Sequence, residues 1–77
     1  MAPGSILNFI EDLIDKLKKI FEDLKKTINQ KNADTKKYNF FIMSSQRLCK
    51  ELKKINEIQE NPKFMDFSFE IQAINIK

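Results

Sequence analysis

Histidine, tryptophan and valine are absent from this chain, and glycine and cysteine occur once each. Each gap removes a class of chemistry. Without histidine, the commonest general base near neutral pH and the commonest metal ligand are both missing. The one cysteine, Cys49, can neither close an internal disulfide nor assemble a zinc site. The one glycine, Gly4, stands near the start, so no glycine-rich loop cradles a phosphate and tight hairpin turns lack their usual residue. No apolar run exceeds the four residues Phe40 to Met43, whereas a membrane-spanning helix needs about 20. The opening Met1-Ala2-Pro3-Gly4-Ser5 leads straight into an acidic amphipathic stretch, without the basic and then smoothly apolar regions of an export signal. We therefore expect an intracellular protein, cytoplasmic or nuclear, with residues 1–5 as a tail that is native or left by cloning.

What is present is a chain of 77 residues with 14 basic and 11 acidic side chains, enough for one small domain over residues 6–77. A core of this size leaves only a few kcal/mol of net stability, so support from a partner chain is expected. Thirteen of the basic residues are lysine and one is arginine, a skew better explained by nucleotide bias than by function. The net charge of +3 is unevenly placed. Residues 1–30 balance five lysines against five acids, while residues 31–63 carry eight basic side chains against four acidic ones. An electrostatic partner would meet the middle of the chain.

Leu7, Ile10, Ile14, Leu17, Phe21, Leu24 and Ile28 alternate spacings of three and four, which predicts a helix over 6–30 with one apolar stripe. Ser5 suits its N-cap, and acids near its start with lysines near its end agree with the helix dipole. Ile6, Leu13 and Ile20 widen the stripe beyond a coiled-coil seam, so this helix should meet more than one neighbour. Residues 31–37 are polar and read as a loop. A second stripe, Leu48, Leu52, Ile55 and Ile58 or Gln59, predicts a helix over 45–60, with Ser44 or Ser45 as an N-cap and Asn61-Pro62 as a stop, and a helical reading of 38–43 extends it to about 38–60. The aromatic stretch 38–43 suits either helix or strand, with helix favoured.

After Pro62, Met65, Phe67, Phe69, Ile71 and Ala73 recur at every second position, which predicts a half-buried strand over 65–76. That strand has no good partner within the chain, since a parallel pair with 38–43 makes a poor sheet. The expected fold class is therefore mostly α with a C-terminal β-strand, an antiparallel helical hairpin plus one strand paired with a partner or a second copy.

Cys49 lies within the second predicted helix beside Leu48, where a small apolar side chain is ordinary, and no histidine is available to activate it. Glu11, Asp12, Asp15, Glu22 and Asp23 have lysine neighbours on the same helix and read as a solvated face rather than a cation site. Arg47, Lys50, Lys53 and Lys54, with Lys36 and Lys37 upstream, form a basic surface that reads first as a solvated face, then as a site for an acidic protein and, least favoured, for nucleic acid. The first helix has an electrically neutral polar face, which favours core packing over a lipid surface.

Residues 43–71 carry a resemblance. Met43-Ser44-Ser45-Gln46-Arg47-Leu48-Cys49-Lys50-Glu51-Leu52-Lys53-Lys54-Ile55, then Asn61-Pro62, then Phe67-Ser68-Phe69-Glu70-Ile71 resemble the N-terminal helix and first strand of ubiquitin-conjugating enzymes. The resemblance implies a helix that docks the activating enzyme or ligases, with Arg47, Lys50 and Lys54 at the docking positions. Residues 1–42 have no counterpart in that family, the segment after Pro62 is shorter than usual, and the region holding the catalytic cysteine is absent; Cys49 does not match it.

These observations point to a non-catalytic protein-protein interaction module or small subunit that binds a protein partner or its own copy. Arg47, Lys50, Lys54, Phe67, Phe69 and Ile71 are the expected partner-binding residues. No cofactor, metal or small-molecule substrate is expected. The alternatives are a truncated conjugating-enzyme relative and a nucleic-acid-associated accessory protein.

Overall fold

The long apolar stripe between Leu7 and Ile28 has to be covered by something, and in the computed structural model two further helices cover it. The structure describes the backbone of residues 5–76 and the side chains of residues 6–76. Helix α1 spans Ser5–Ile28, α2 spans Thr35–Leu52, a single 3₁₀ turn spans Asn56–Ile58, and α3 spans Pro62–Gln72. Residues 1–4 of the expected tail and the Ser5 side chain expected to cap α1 lie outside the described residues, while the Ser5 backbone is the first of α1. Among the described residues no helix is long and apolar enough to cross a membrane.

From α1 the bundle buries Ile10, Ile14 and Phe21. They occupy the centre of the three-four stripe, where each contributes about 1.5–3 kcal/mol by leaving water. Turning back through residues 29–34, the chain starts α2 at the Asp34 side chain, which accepts the Lys37 backbone N–H at 3.0 Å. The expectation of a cap at Ser44 or Ser45 is thus corrected. An acid at N-cap satisfies an orphan N–H and faces the positive end of the helix dipole, whereas Ser45 is buried mid-helix. The stretch 38–43 belongs to α2, and Phe41 stacks on Phe21 of α1 with centroids 6.2 Å apart.

The second helix does not run on to residue 60. It ends at Leu52, and Ile55 is extended at φ −90°, ψ 115°, before the 3₁₀ turn delivers Ile58, fully buried, to the core. The Gln59 side-chain amide donates to the Lys53 carbonyl at 2.7 Å and satisfies an acceptor that the break exposes.

The expected strand over 65–76 is overturned: residues 62–72 form α3, and among the described residues there is no strand at all. Asn61-Pro62 starts a helix here rather than stopping one. The Asn61 side-chain oxygen accepts the Phe64 N–H at 3.0 Å, and Pro62 takes the first helical position, where its missing N–H costs nothing. The buried residues are Phe64, Phe67, Ser68 and Ile71, a three-four-seven spacing, while Met65 and Phe69 of the two-residue pattern face outward. A helix satisfies its own backbone, so the unpaired strand edge that would have recruited a second chain does not exist. The first strand implied by the resemblance to conjugating enzymes, over Phe67–Ile71, is likewise helical.

Three cross-links fix α3 parallel to α1. Asn61 Nδ2 donates to Glu11 Oε2 at 2.7 Å, Lys63 Nζ meets Asp15 Oδ2 at 2.9 Å, and Lys25 Nζ lies 3.6 Å from Glu70 Oε2. The product is a three-helix bundle 48 Å long and 20 × 16 Å across. It is elongated because the 24 residues of α1 alone reach about 36 Å.

Candidate interaction surfaces

Helix α2 packs against both α1 and α3 and shows them different faces. Toward α3 it presents Cys49, buried beside the buried Ser68. Small side chains let the two helices approach closely. The approach is then locked by a reciprocal pair of glutamines. Gln46 Nε2 donates to the carbonyls of Ile71 at 3.1 Å and Ile74 at 2.9 Å, and Gln72 Nε2 donates to the Gln46 carbonyl at 3.0 Å. Gln46 thus supplies a donor to the Ile74 carbonyl beyond the end of α3 and adds a second hold on the Ile71 carbonyl, which also accepts the Ile74 N–H at 3.2 Å. Among the described residues, every buried side-chain nitrogen or oxygen has a hydrogen-bond partner.

Cys49 sits in this seam, free and wholly buried. Burial pushes its thiol up, only partly offset by the Ser68 hydroxyl and the Lys53 charge, which lower it. A thiol held neutral and out of solvent is a packing residue. Nor do three His, Cys, Asp or Glu side chains converge anywhere among the described residues. Of the α1 acids, Glu11 is taken by Asn61, Asp15 by Lys63 and Glu22 by Lys25.

The other side of α2 is open. Together with α1 it forms an apolar cleft of about 240 Å³ with Leu17, Ile20 and Leu24 on one wall and Phe40, Phe41 and Leu48 on the other. A second depression of about 400 Å³ adjoins it across Phe40, Ser44 and Leu48 and ends at Met43, Arg47 and Glu51. Phe40 stands between the two with 73% of its surface in water, beside Met43 at 56% and Ile20 at 44%. A third depression, about 520 Å³, lies between the end of α2 and α3, with Met65, Phe69 and Lys53 on its walls.

The six residues expected to bind a partner do not form one site. Phe67 and Ile71 are completely buried in the bundle and are unavailable to any partner, because they sit on the inner stripe of α3. Phe69 is the most exposed large apolar side chain, at 80%, on the α3 depression. Arg47 and Lys50 are exposed on the outer face of α2, and Arg47 alone of the six lines the α1/α2 surface. Lys54 lies beyond the end of α2, in an exposed pair with Glu51 at 2.9 Å.

Sequence reasoning names Ile20 only as widening the α1 stripe, and it misses Phe40 and Met43. The signal for them was the unbroken run Phe40-Phe41-Ile42-Met43. Four consecutive helical positions sweep about 300° of the wheel, so they cannot all face one core. Ile42 goes inside and Phe40 and Met43 go out. No family model matches the chain, and no curated protein or solved structure does either.

Proposed function

We propose that this chain is a non-catalytic helical protein-protein interaction module, a small subunit that docks on a larger assembly through the open face of α1 and α2. The observation that carries this reading is the cluster of Ile20, Phe40 and Met43, large apolar side chains in water along an apolar cleft; Ile6, Phe9, Met65 and Phe69 are also exposed, but none of them lines that cleft. Exposed apolar clusters rimmed by charge mark binding surfaces. The open apolar cleft suits the anchoring side chains of another protein. Nucleic acid is a weaker reading, because the cations of α2 border an apolar floor rather than a continuous basic track. One buried free thiol, with no second cysteine in the chain, supports a reducing compartment, cytoplasm or nucleus.

Replacing Phe40 with a photoreactive phenylalanine analogue in the cell of origin tests the reading. Irradiation is expected to give one discrete protein adduct from position 40 and none from position 57, an exposed site on the 3₁₀ turn. Equal labelling from both positions, or none from position 40, would defeat it.

A further inference from the structure

The bundle is asymmetric in a way that specifies what covers it. Two antiparallel helices have two grooves between them, and α3 fills only one. The groove on the opposite side is lined by Leu17, Ile20 and Leu24 of α1 and by Phe40, Ser44 and Leu48 of α2. It is the empty fourth position of a four-helix arrangement. Its α1 wall runs from Leu17 to Leu24, about 10 Å, and past Leu48 the apolar surface continues on α2 alone to Glu51. Because Phe40 separates its two depressions, a helix laid along it would place apolar side chains on both sides of that ring.

Charge selects among helices. The outer edge of α2 carries Lys36, Lys37, Arg47 and Lys50, all exposed. The nearby acids are already engaged. Asp34 caps α2, and Glu51 pairs with Lys54 at 2.9 Å. The α1 edge offers no compensating negative field, since Asp12 and Asp23 are interleaved there with Lys16 and Lys19. A second copy of this chain would bring the same cationic edge against itself, and like charges across an interface are costly.

We infer that the α1/α2 groove takes an acidic amphipathic helix of a different protein, its apolar stripe on Ile20 and Phe40 and its carboxylates along Lys36, Lys37 and Arg47. The inference rests on the module reading above and adds the partner's chemistry to it. Apolar contact with Phe40 and Ile20 supplies the hold. The cations supply register, rate of encounter and rejection of basic helices.

The test uses the intact chain and a fluorescent helical peptide of about 18 residues, enough to span the groove, with leucines at three-four spacing flanked by glutamates. Its counterpart has lysines in place of the glutamates. The glutamate peptide should bind at least about tenfold more tightly at low salt, and the advantage should shrink as salt rises. Lys36→Glu with Arg47→Glu should reverse the preference, and Phe40→Ala should weaken both peptides. All three residues are exposed on a helix, so the fold is retained, which circular dichroism checks. Equal binding of the two peptides, or binding of neither, overturns the inference. If the photoadduct from position 40 still forms, the module reading survives that failure; if it is lost as well, both fall. Self-association abolished by Phe40→Glu, or displacement of the glutamate peptide by a DNA duplex, would name a different occupant and overturn the inference too.

Discussion

Along α2, the side turned to α3 and the side turned away from it are built from different kinds of residue. The α3 side has Gln46 and Cys49, a small group where the helices approach and an amide that donates to carbonyls. The far side has Phe40, Met43 and Arg47, large or charged groups that meet nothing of comparable size within the chain. One side is closed by hydrogen bonds whose loss would leave polar groups unsatisfied. The other has apolar area and no such obligations. The contrast separates residues that hold the fold from residues that are free to hold something else, and it does so on one helix of 18 residues.

The contrast is broken most severely by truncating an aromatic ring on each side. Phe67→Ala removes a ring that is fully buried and should cost about 3–5 kcal/mol, which for a domain of this size approaches the whole of its stability. Phe40→Ala, at a ring mostly in water, should stay within about 0.5 kcal/mol of the parent in urea melts. Comparable losses at both positions would mean that the far side of α2 is closed as well.

Adjacent residues sharpen it further. Gln46→Ala deletes donors to two carbonyls at the end of α3 and should cost about 1–3 kcal/mol, whereas its neighbour Arg47→Ala should be nearly silent in stability. Next in size comes the start of α3. Asn61→Ala loses the cap on Phe64 N–H and the tie to Glu11 and should cost about 0.5–2 kcal/mol by thermal unfolding. Had 65–76 been a strand, losing a helix cap at residue 61 would cost little.

The smallest effect is a dependence on alkaline pH. Burial holds the Cys49 thiol neutral in the fold, so the unfolded thiol ionises first and stability declines once pH rises past about 8.5. The Lys25 and Lys63 ammoniums, raised chiefly by hydrogen bonds to Glu22 and Asp15, add a screened contribution of the same sign. Theirs is present below the usual lysine value and is lost as pH climbs through the raised one. Melting temperature should fall above about pH 8.5, and Cys49→Ala should flatten the first part of that fall. A rise in stability over this range would contradict the buried thiol.

How much of this was legible beforehand depends on how far each feature reaches along the chain. The α1 stripe was readable because Leu7 to Ile28 keeps one helical period without interruption. The end of the chain was misread because Phe67 and Ile71 belong to two patterns at once. With Met65 and Phe69 they make a period of two, and with Phe64 and Ser68 they make a helical one. Ser68 concealed the second pattern, since a buried serine counts as polar in any hydrophobic tally. Asn61-Pro62 also reads both ways, as the end of one helix or as the N-cap and first residue of the next. The missing partner for a lone strand was the available clue that the period of two was accidental.

Of the candidate site, the basic edge at Arg47 and Lys50 was visible in the sequence, and both are exposed. The groove was not, because Ile20 and Phe40 become neighbours only through the docking of α1 on α2. The glutamine lock spans 25 to 28 positions of sequence, and no local pattern announces it.

Side-chain footprinting of the isolated chain by hydroxyl radicals tests most directly the claim that α2 has one committed side and one open side. We predict that Phe40 and Met43 are modified almost as fast as in the urea-unfolded chain, while Phe21, Phe64 and Phe67 are strongly protected. Equal protection of Phe40 and Phe67 in a monomeric sample would contradict the account.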